Sequence, residues 1–327
     1  MFKGLRKKKT PSRNSSPRLS VDSNSPAPST STPTPTPTPT SGLLARFSNS
    51  NASSIRDFGV ASEQNPAFRQ TMEDTHVMID GFFGHTGWTY VALHDGHGGN
   101  ETSELAARRL HKYLAAGLRS GHSVAEAIKH AYIRTDEEAI DLGHDVVGST
   151  AVTCILHPSN TSFIEQKSTN IRSDSDSEDD VPPPVQLTVG NAGDSSAFLV
   201  SKSRIQELTV IHRPSDPSEA TRVVNAGGFI LSNRVNGSLA VTRALGDGLL
   251  KPSVIADPSI RSVVLTEHDE ALILVCDGVT DVLSNEDIRD IFQKSKHKGA
   301  QQTANILVKI SLERGTTDNI SVMVLLL

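Results

Sequence analysis

At 327 residues, 36% hydrophobic and 21% charged, the chain can bury a core of domain size, as one large domain or two ordinary ones. Its formal net charge of −5 implies no basic face for nucleic acid, and its apolar runs fall short of the roughly 18 residues that a membrane span needs. Cys154 and Cys276 each sit inside an apolar run and read as small buried hydrophobes rather than a disulfide or a reactive thiol.

Residues 1–55 open on a basic cluster (Lys3, Arg6, Lys7, Lys8, Lys9, Arg13) and pass into Ser, Thr and Pro, with strict Thr-Pro alternation from Thr32 to Thr40. Such a composition cannot offset the entropy of folding, so a disordered or polyproline-like tail is expected, serving as a solvated leader or as a localisation or phosphorylation segment. The start lacks an apolar secretory segment and lacks glycine at position 2, which argues against export and myristoylation and for a cytoplasmic or nuclear protein.

From residue 56 to 327 the sequence looks ordered. Predicted strands, β-branched and bounded by Gly, Asn or Asp, cover 88–94, 149–156, 186–191, 196–201, 261–266, 271–276 and 320–326. Predicted helices cover 101–118, with Leu105, Leu110, Leu114 and Leu118 near one-turn spacing, and the stretch after Ser123, where Ser123 and Glu126 form a capping box. Three more fall at 218–226, 285–293 and 300–313. An insertion at about 158–185 carries SDSDSEDD, five acids in eight residues, and closes on Pro182, Pro183 and Pro184. Like charges so dense resist packing, so an exposed, disordered insertion between two strands is expected, with Ser173, Ser175 and Ser177 as weak phosphorylation candidates. The element order departs from βαβα alternation and predicts an α+β fold with mostly antiparallel sheets covered by helices on their outer faces.

Acids fall where the strands end. TYVALH delivers Asp95, QLTVGNAG delivers Asp194, ALILVC delivers Asp277 followed by Asp281, and Asp318 immediately precedes ISVMVLLL. One Asp-Gly is usually only a turn. Four such carboxylates on neighbouring strands would repel one another, and a divalent cation removes that penalty. All-oxygen ligation favours Mg²⁺ or Mn²⁺, and the His94 and His97 pair lacks the helical spacing of a zinc motif. Upstream, FRQTMEDTHVM sets Arg69 four residues before Glu73 and Asp74; beside such a centre its guanidinium suits a phosphate oxyanion.

These residues lie in a longer pattern. RQTMED (69–74), DGHGG (95–99), GSTA (148–151), NAGDS (191–195), NAGG (225–228), RVNGSLAVTRALGD (234–247), CDGVTD (276–281) and TTDNISV (316–322) follow in order. With them the chain resembles the metal-dependent serine/threonine phosphatases of the protein phosphatase 2C family. The resemblance implies an αββα sandwich, two mostly antiparallel sheets flanked by helix pairs, over residues 56–327. It implies hydrolysis of phosphoserine and phosphothreonine in phosphorylated protein substrates, by in-line attack of a hydroxide bridging two Mg²⁺ or Mn²⁺ ions. Asp95 and the Gly96 carbonyl, with Asp277 and Asp318, would ligate those ions, and Glu73 and Asp74 would act through waters. Asp194 and Asp281 match the acids that hold a weaker third ion in some members. Arg69 would hold the phosphate, and His97 would protonate the leaving alkoxide. His94 is left as a structural residue, and a monomeric catalytic domain is expected.

The sequence departs from the family pattern at three places. GDSS carries Ser196 where arginine is usual, Thr280 stands for an aromatic, and Ile211, His212, Arg213, Pro214 replace Asp-His-Lys-Pro. No expected ligand is lost, but packing beside the third-ion site and in the flap at 212–245 is open to change. A catalytically weak phosphoprotein-binding module on the same fold is the alternative, and a two-metal nuclease is disfavoured by the acidic balance.

Overall fold

Most of the β-branched runs become strands of two sheets in a computed structural model, which describes residues 42–44, 55–159 and 183–327. The basic tail, its Thr-Pro run and the acidic part of the insertion lie outside the described residues. The first sheet has the order β1 (Gly42–Leu44), β3 (Thr75–Asp80), β4 (Thr89–His94), β7 (Ala151–Pro158), β8 (Val185–Ala192), β14 (Ser259–Val264); it is antiparallel except for the parallel β1–β3 pair. The second runs β10 (Ile205–Glu207), β9 (Ser196–Ser201), β15 (Asp269–Val275), β16 (Ile320–Leu326), β2 (Asp57–Glu63) and is antiparallel throughout. All seven predicted strands are present, each within two residues of its expected ends. β1, β2 and β3 were not predicted.

Strand alternation builds the layers. On β4, Tyr90 and Ala92 face a core shared with α1 (Glu101–Arg119) and α2 (Val124–Asp141), where Leu110, Leu114, Leu118, Ile128 and Tyr132 are fully or nearly fully buried. Val91 and Leu93 face the other way, into the core between the sheets with Cys154, Leu187, Leu199, Leu272, Leu274, Cys276 and Met323. On the far side, Ile273 and Val275 of β15 and Val322 and Val324 of β16 pack against α5 (Asn285–Ser295) and α6 (Ala300–Glu313) through Ile288, Phe292, Ala304 and Leu307. The result is the four-layer αββα sandwich expected, with its two cysteines buried as free thiols. The predicted Ser123–Glu126 capping box starts α2, and a second, Ser284–Asp287, starts α5. No helix among the described residues is long and apolar enough to cross a membrane.

Short elements finish the rim where the acids lie. β5 (Gly96–His97), β6 (Gly148–Ser149) and β13 (Leu245–Gly246) form a small sheet with β6 in the middle. α3 (Pro217–Asn225) and the hairpin of β11 (Ile230–Leu231) with β12 (Arg234–Val235) belong to the flap. Ser232 and Asn233 take positive φ at the hairpin turn, as a two-residue loop between twisted strands requires. The flap has its own small core of Val223, Val235, Val241, Ala244 and Val254. Glu219 braces it, accepting hydrogen bonds from Arg222, Arg243 and Thr242. α4 (Asp277–Thr280) is a single turn entered directly from β15, too short to leave a periodic signal in the sequence.

Candidate metal centre

Chain direction brings the acids to one rim. β4 exits into Asp95, β8 exits toward Asp194, β15 exits into Asp277 at the first position of α4, and Asp318 leads into β16. The Asp95 backbone is fixed on both sides: its N–H donates to Thr150 Oγ1 at 3.3 Å, and its carbonyl accepts from the Thr150 N–H at 2.9 Å. Asp74 is 3% exposed, and neither of its carboxylate oxygens has a hydrogen-bond partner. Its ligand atom lies within 4.8 Å of those of Asp95 and Cys276.

Each of these carboxyl groups resists ionisation. Burial pushes the Asp74 carboxyl up to about 6; Ser321, Cys276 and Asp95 face it and oppose that shift, none in hydrogen-bonding geometry, while Asp318 adds to it. Burial, and then the charges of Asp74, Asp277, Asp194 and Asp318, hold Asp95 well above the usual carboxylate range. Asp277 is raised in the same way by burial and by Asp194, Asp318 and Asp281. Buried, mutually repelling, oxygen-rich and incompletely hydrogen-bonded, the group fits hard divalent cations, which would supply the missing positive charge. The Cys276 thiol is pushed up by burial and by the same acids, so it stays protonated and is a poor ligand.

The glycine of Asp95-Gly96 has a steric cause. A Cβ at Gly96 would lie 2.5 Å from the Glu73 carbonyl oxygen, so glycine is what lets the segment bearing Glu73 and Asp74 close against Asp95. Ser103 Oγ also donates to that carbonyl, at 2.5 Å. The Glu73 carboxylate accepts from Thr71 Oγ1 of its own loop at 2.7 Å and from the Gly99 N–H, just before α1, at 3.4 Å. Asn319 ties the centre together: its Oδ1 accepts from the Glu73 N–H at 2.9 Å while its Nδ2 donates to the carbonyls of Gln64 and Thr71.

Two arginines meet these acids, and His97 meets a further one. Arg69 pairs with Asp318 and donates through Nε to the Thr317 carbonyl at 3.3 Å. Arg213 spans the second group of acids, with Nε donating to Asp194 at 2.8 Å and Nη2 to Asp281 at 3.1 Å, 3.5 Å from Asp277. A guanidinium therefore already bonds both acids assigned to a third ion, and it comes from the position where the family has lysine. His97 Nε2 donates to Asp247 Oδ2 at 2.8 Å. The sequence pattern had given neither Arg213 nor Asp247 a role; their partners lie 19 to 150 residues away, beyond any local period.

Three further residues singled out in the sequence have defined surroundings. His94 is fully buried, its Nδ1 paired with Thr75 Oγ1 at 3.2 Å and its Nε2 without a hydrogen bond. Ser196, at the family's arginine position, donates to Glu207 Oε1 at 3.0 Å. His212 bridges the flap to the first sheet, accepting from the Gly193 N–H at 3.2 Å and pairing through Nε2 with Ser259 Oγ at 2.8 Å.

Comparison with known proteins gives one answer. The family model described as protein phosphatase 2C matches residues 58–320. Protein phosphatase 2C homolog 1 of Saccharomyces cerevisiae is 35% identical over 275 residues, which cover 82% of this chain and 92% of that protein. Protein phosphatase 1A of Homo sapiens is 30% identical over 295 residues, with 82% and 70% covered. Among solved structures, a phosphatase from a pathogenic strain of Toxoplasma gondii superposes with a TM-score of 0.66 at 24% identity, over 83% of this chain and 93% of that one, which supports the fold.

Proposed function

Because the chain belongs to the protein phosphatase 2C family and is a protein serine/threonine phosphatase, we propose that its rim of acids holds two Mg²⁺ or Mn²⁺ ions and that it hydrolyses phosphoserine and phosphothreonine without a covalent enzyme intermediate. Asp95, Asp277, Asp318 and the Gly96 carbonyl would hold the ions, with Asp74 and Glu73 orienting the waters around them. Such ions lower the pKa of water and neutralise charge on phosphoryl oxygens.

The chain's own groups supply the rest. Arg69, 44% exposed at its side chain, can leave Asp318 to clamp two phosphate oxygens, which fixes the phosphorus for in-line attack. As the P–O bond breaks, its electron pair stays on the serine or threonine oxygen, which takes a proton from His97. With Arg213 already set between Asp194 and Asp281, a third ion there would have to displace a guanidinium.

Asp74 carries this reading: a carboxylate 3% exposed, with no hydrogen-bond partner, beside a second acid that resists ionisation. The test is phosphate release from a phosphothreonine peptide with Mn²⁺. Turnover should vanish in chelator and fall at least about 100-fold in Asp277→Ala. Equal turnover in that variant, or none in the wild type, would overturn the reading.

A further inference from the structure

His97 does not stand alone, and the small sheet shows why. On β5, His97 lies directly opposite Gly148 of β6, and Gly148 lies opposite Gly246 of β13, with Asp247 the next residue. The His97 side chain crosses over Gly148 to reach Asp247 Oδ2 at 2.8 Å. A Cβ at Gly148 would fall 2.1 Å from that oxygen and 2.3 Å from His97 Nε2, so the passage exists only because residue 148 has no side chain.

Asp247 is built to receive it. Its side chain is 4% exposed, and among the described residues His97 is the one side chain its carboxylate bonds. Its backbone is left-handed, φ 54° and ψ 45°, an unfavourable setting for a residue other than glycine that the surroundings must enforce. They do so through bonds on both sides: the Asp247 N–H donates to the Val147 carbonyl at 3.1 Å and the Leu250 N–H to the Asp247 carbonyl at 2.8 Å. The preceding Gly246 N–H donates to Asp136 Oδ1 of α2 at 2.8 Å, and Lys251 caps the same oxygen at 2.9 Å. A buried carboxylate held at a strained, buttressed turn and aimed at one imidazole nitrogen is an orienting device.

The geometry points to Asp247 as the positioning residue for His97, fixing the ring so that its proton reaches the leaving oxygen; the proposal rests on the hydrolytic reading above. Nε2 is committed to Asp247, which leaves Nδ1 to face the substrate. Asp247 touches no reacting atom and acts only through the ring.

Leaving-group chemistry separates this role from a structural one. An alkoxide needs a proton as it departs, whereas p-nitrophenolate does not. In the Mn²⁺-loaded enzyme, Asp247→Asn should lower kcat on a phosphothreonine peptide about 10- to 100-fold, leave KM unchanged, and change p-nitrophenyl phosphate turnover by less than about threefold. Mn²⁺ affinity by calorimetry should not move, and Asp247→Asn added to His97→Ala should cost nothing more. Gly148→Ala, which pushes a methyl group between the two side chains while keeping both, should show the same split and decides the matter if Asp247→Asn fails to fold. Equal losses on both substrates, or weakened Mn²⁺ binding, would overturn the positioning role. A wild type that hydrolyses neither substrate would instead sink the phosphatase reading, and this inference with it.

Discussion

A single guanidinium shapes the charge balance of this centre. Arg213 faces Asp194, Asp277 and Asp281, and without it burial and mutual repulsion would leave those acids uncompensated. In chelator at pH 7, Arg213→Gln should therefore be less stable than the wild type by about 1–3 kcal/mol, the lower end reflecting an arginine about a third exposed. Mn²⁺ should recover more of the melting temperature in the variant than in the wild type, with about one additional ion bound in calorimetry. A variant that binds the same number of ions and gains no more from Mn²⁺ would show that the guanidinium and a cation do not compete. The acids themselves were legible in the sequence, because aspartates at the ends of four apolar runs form a pattern that one Asp-Gly does not. Arg69 was legible beside them, but two other pairings were not. Arg213 to Asp281 and His97 to Asp247 are contacts across 68 and 150 residues, and nothing local in the sequence marks them.

Among the elements, legibility followed length. Strands of six to eight residues with β-branched runs, and helices with a clear stripe or capping box, stood where expected. β5, β6 and β13 have two residues each and α4 has four, fewer than one period of any pattern, yet they aim His97 and Asp277. β2 (DFGVASE) mixes polar and small residues because its Phe58 and Val60 only border the inter-sheet core. The flap rests on one buried acid. Burial alone would raise the Glu219 carboxyl, but bonds from Arg243, Arg222 and Thr242 outweigh it and bring it down to about 2. A folded pKa below the ordinary 4.5 means stability that is fully present above about pH 5 and lost as pH falls from 4.5 toward 2. Glu219→Gln should thus cost about 3 kcal/mol at pH 7, and the gap to wild type in urea unfolding should narrow markedly by pH 3. A gap independent of pH would mean that the arginines respond to shape at this position and not to charge.

Across the described residues, the centre joins two sheets whose shared core is built of apolar side chains. Asp95 comes from the first sheet and Asp277 and Asp318 from the second, so cations among them would bind the halves of the sandwich together. Until such charge is supplied, the raised carboxyls work against the fold at neutral pH. Because their folded pKa values lie above those of the unfolded chain, the folded state takes up protons first, and the cost they impose falls as pH drops below 7. Replacing one of them by its amide should then have opposite effects in the two conditions. In chelator at pH 7, Asp277→Asn should melt higher than the wild type, by about 2–4 °C for each kcal/mol of repulsion relieved. In saturating Mn²⁺ the order should reverse, because ligand at 100 times its Kd adds about 2.7 kcal/mol to a wild type that binds it and little to a variant that does not. Lowering the pH to about 5 in chelator should shrink the variant's advantage, since protonation then does for the wild type what the amide does for the variant. If Asp277→Asn melted lower than the wild type under both conditions, the carboxylate would be holding the fold through its own contacts, and the rim would not be a site kept short of positive charge for cations to fill.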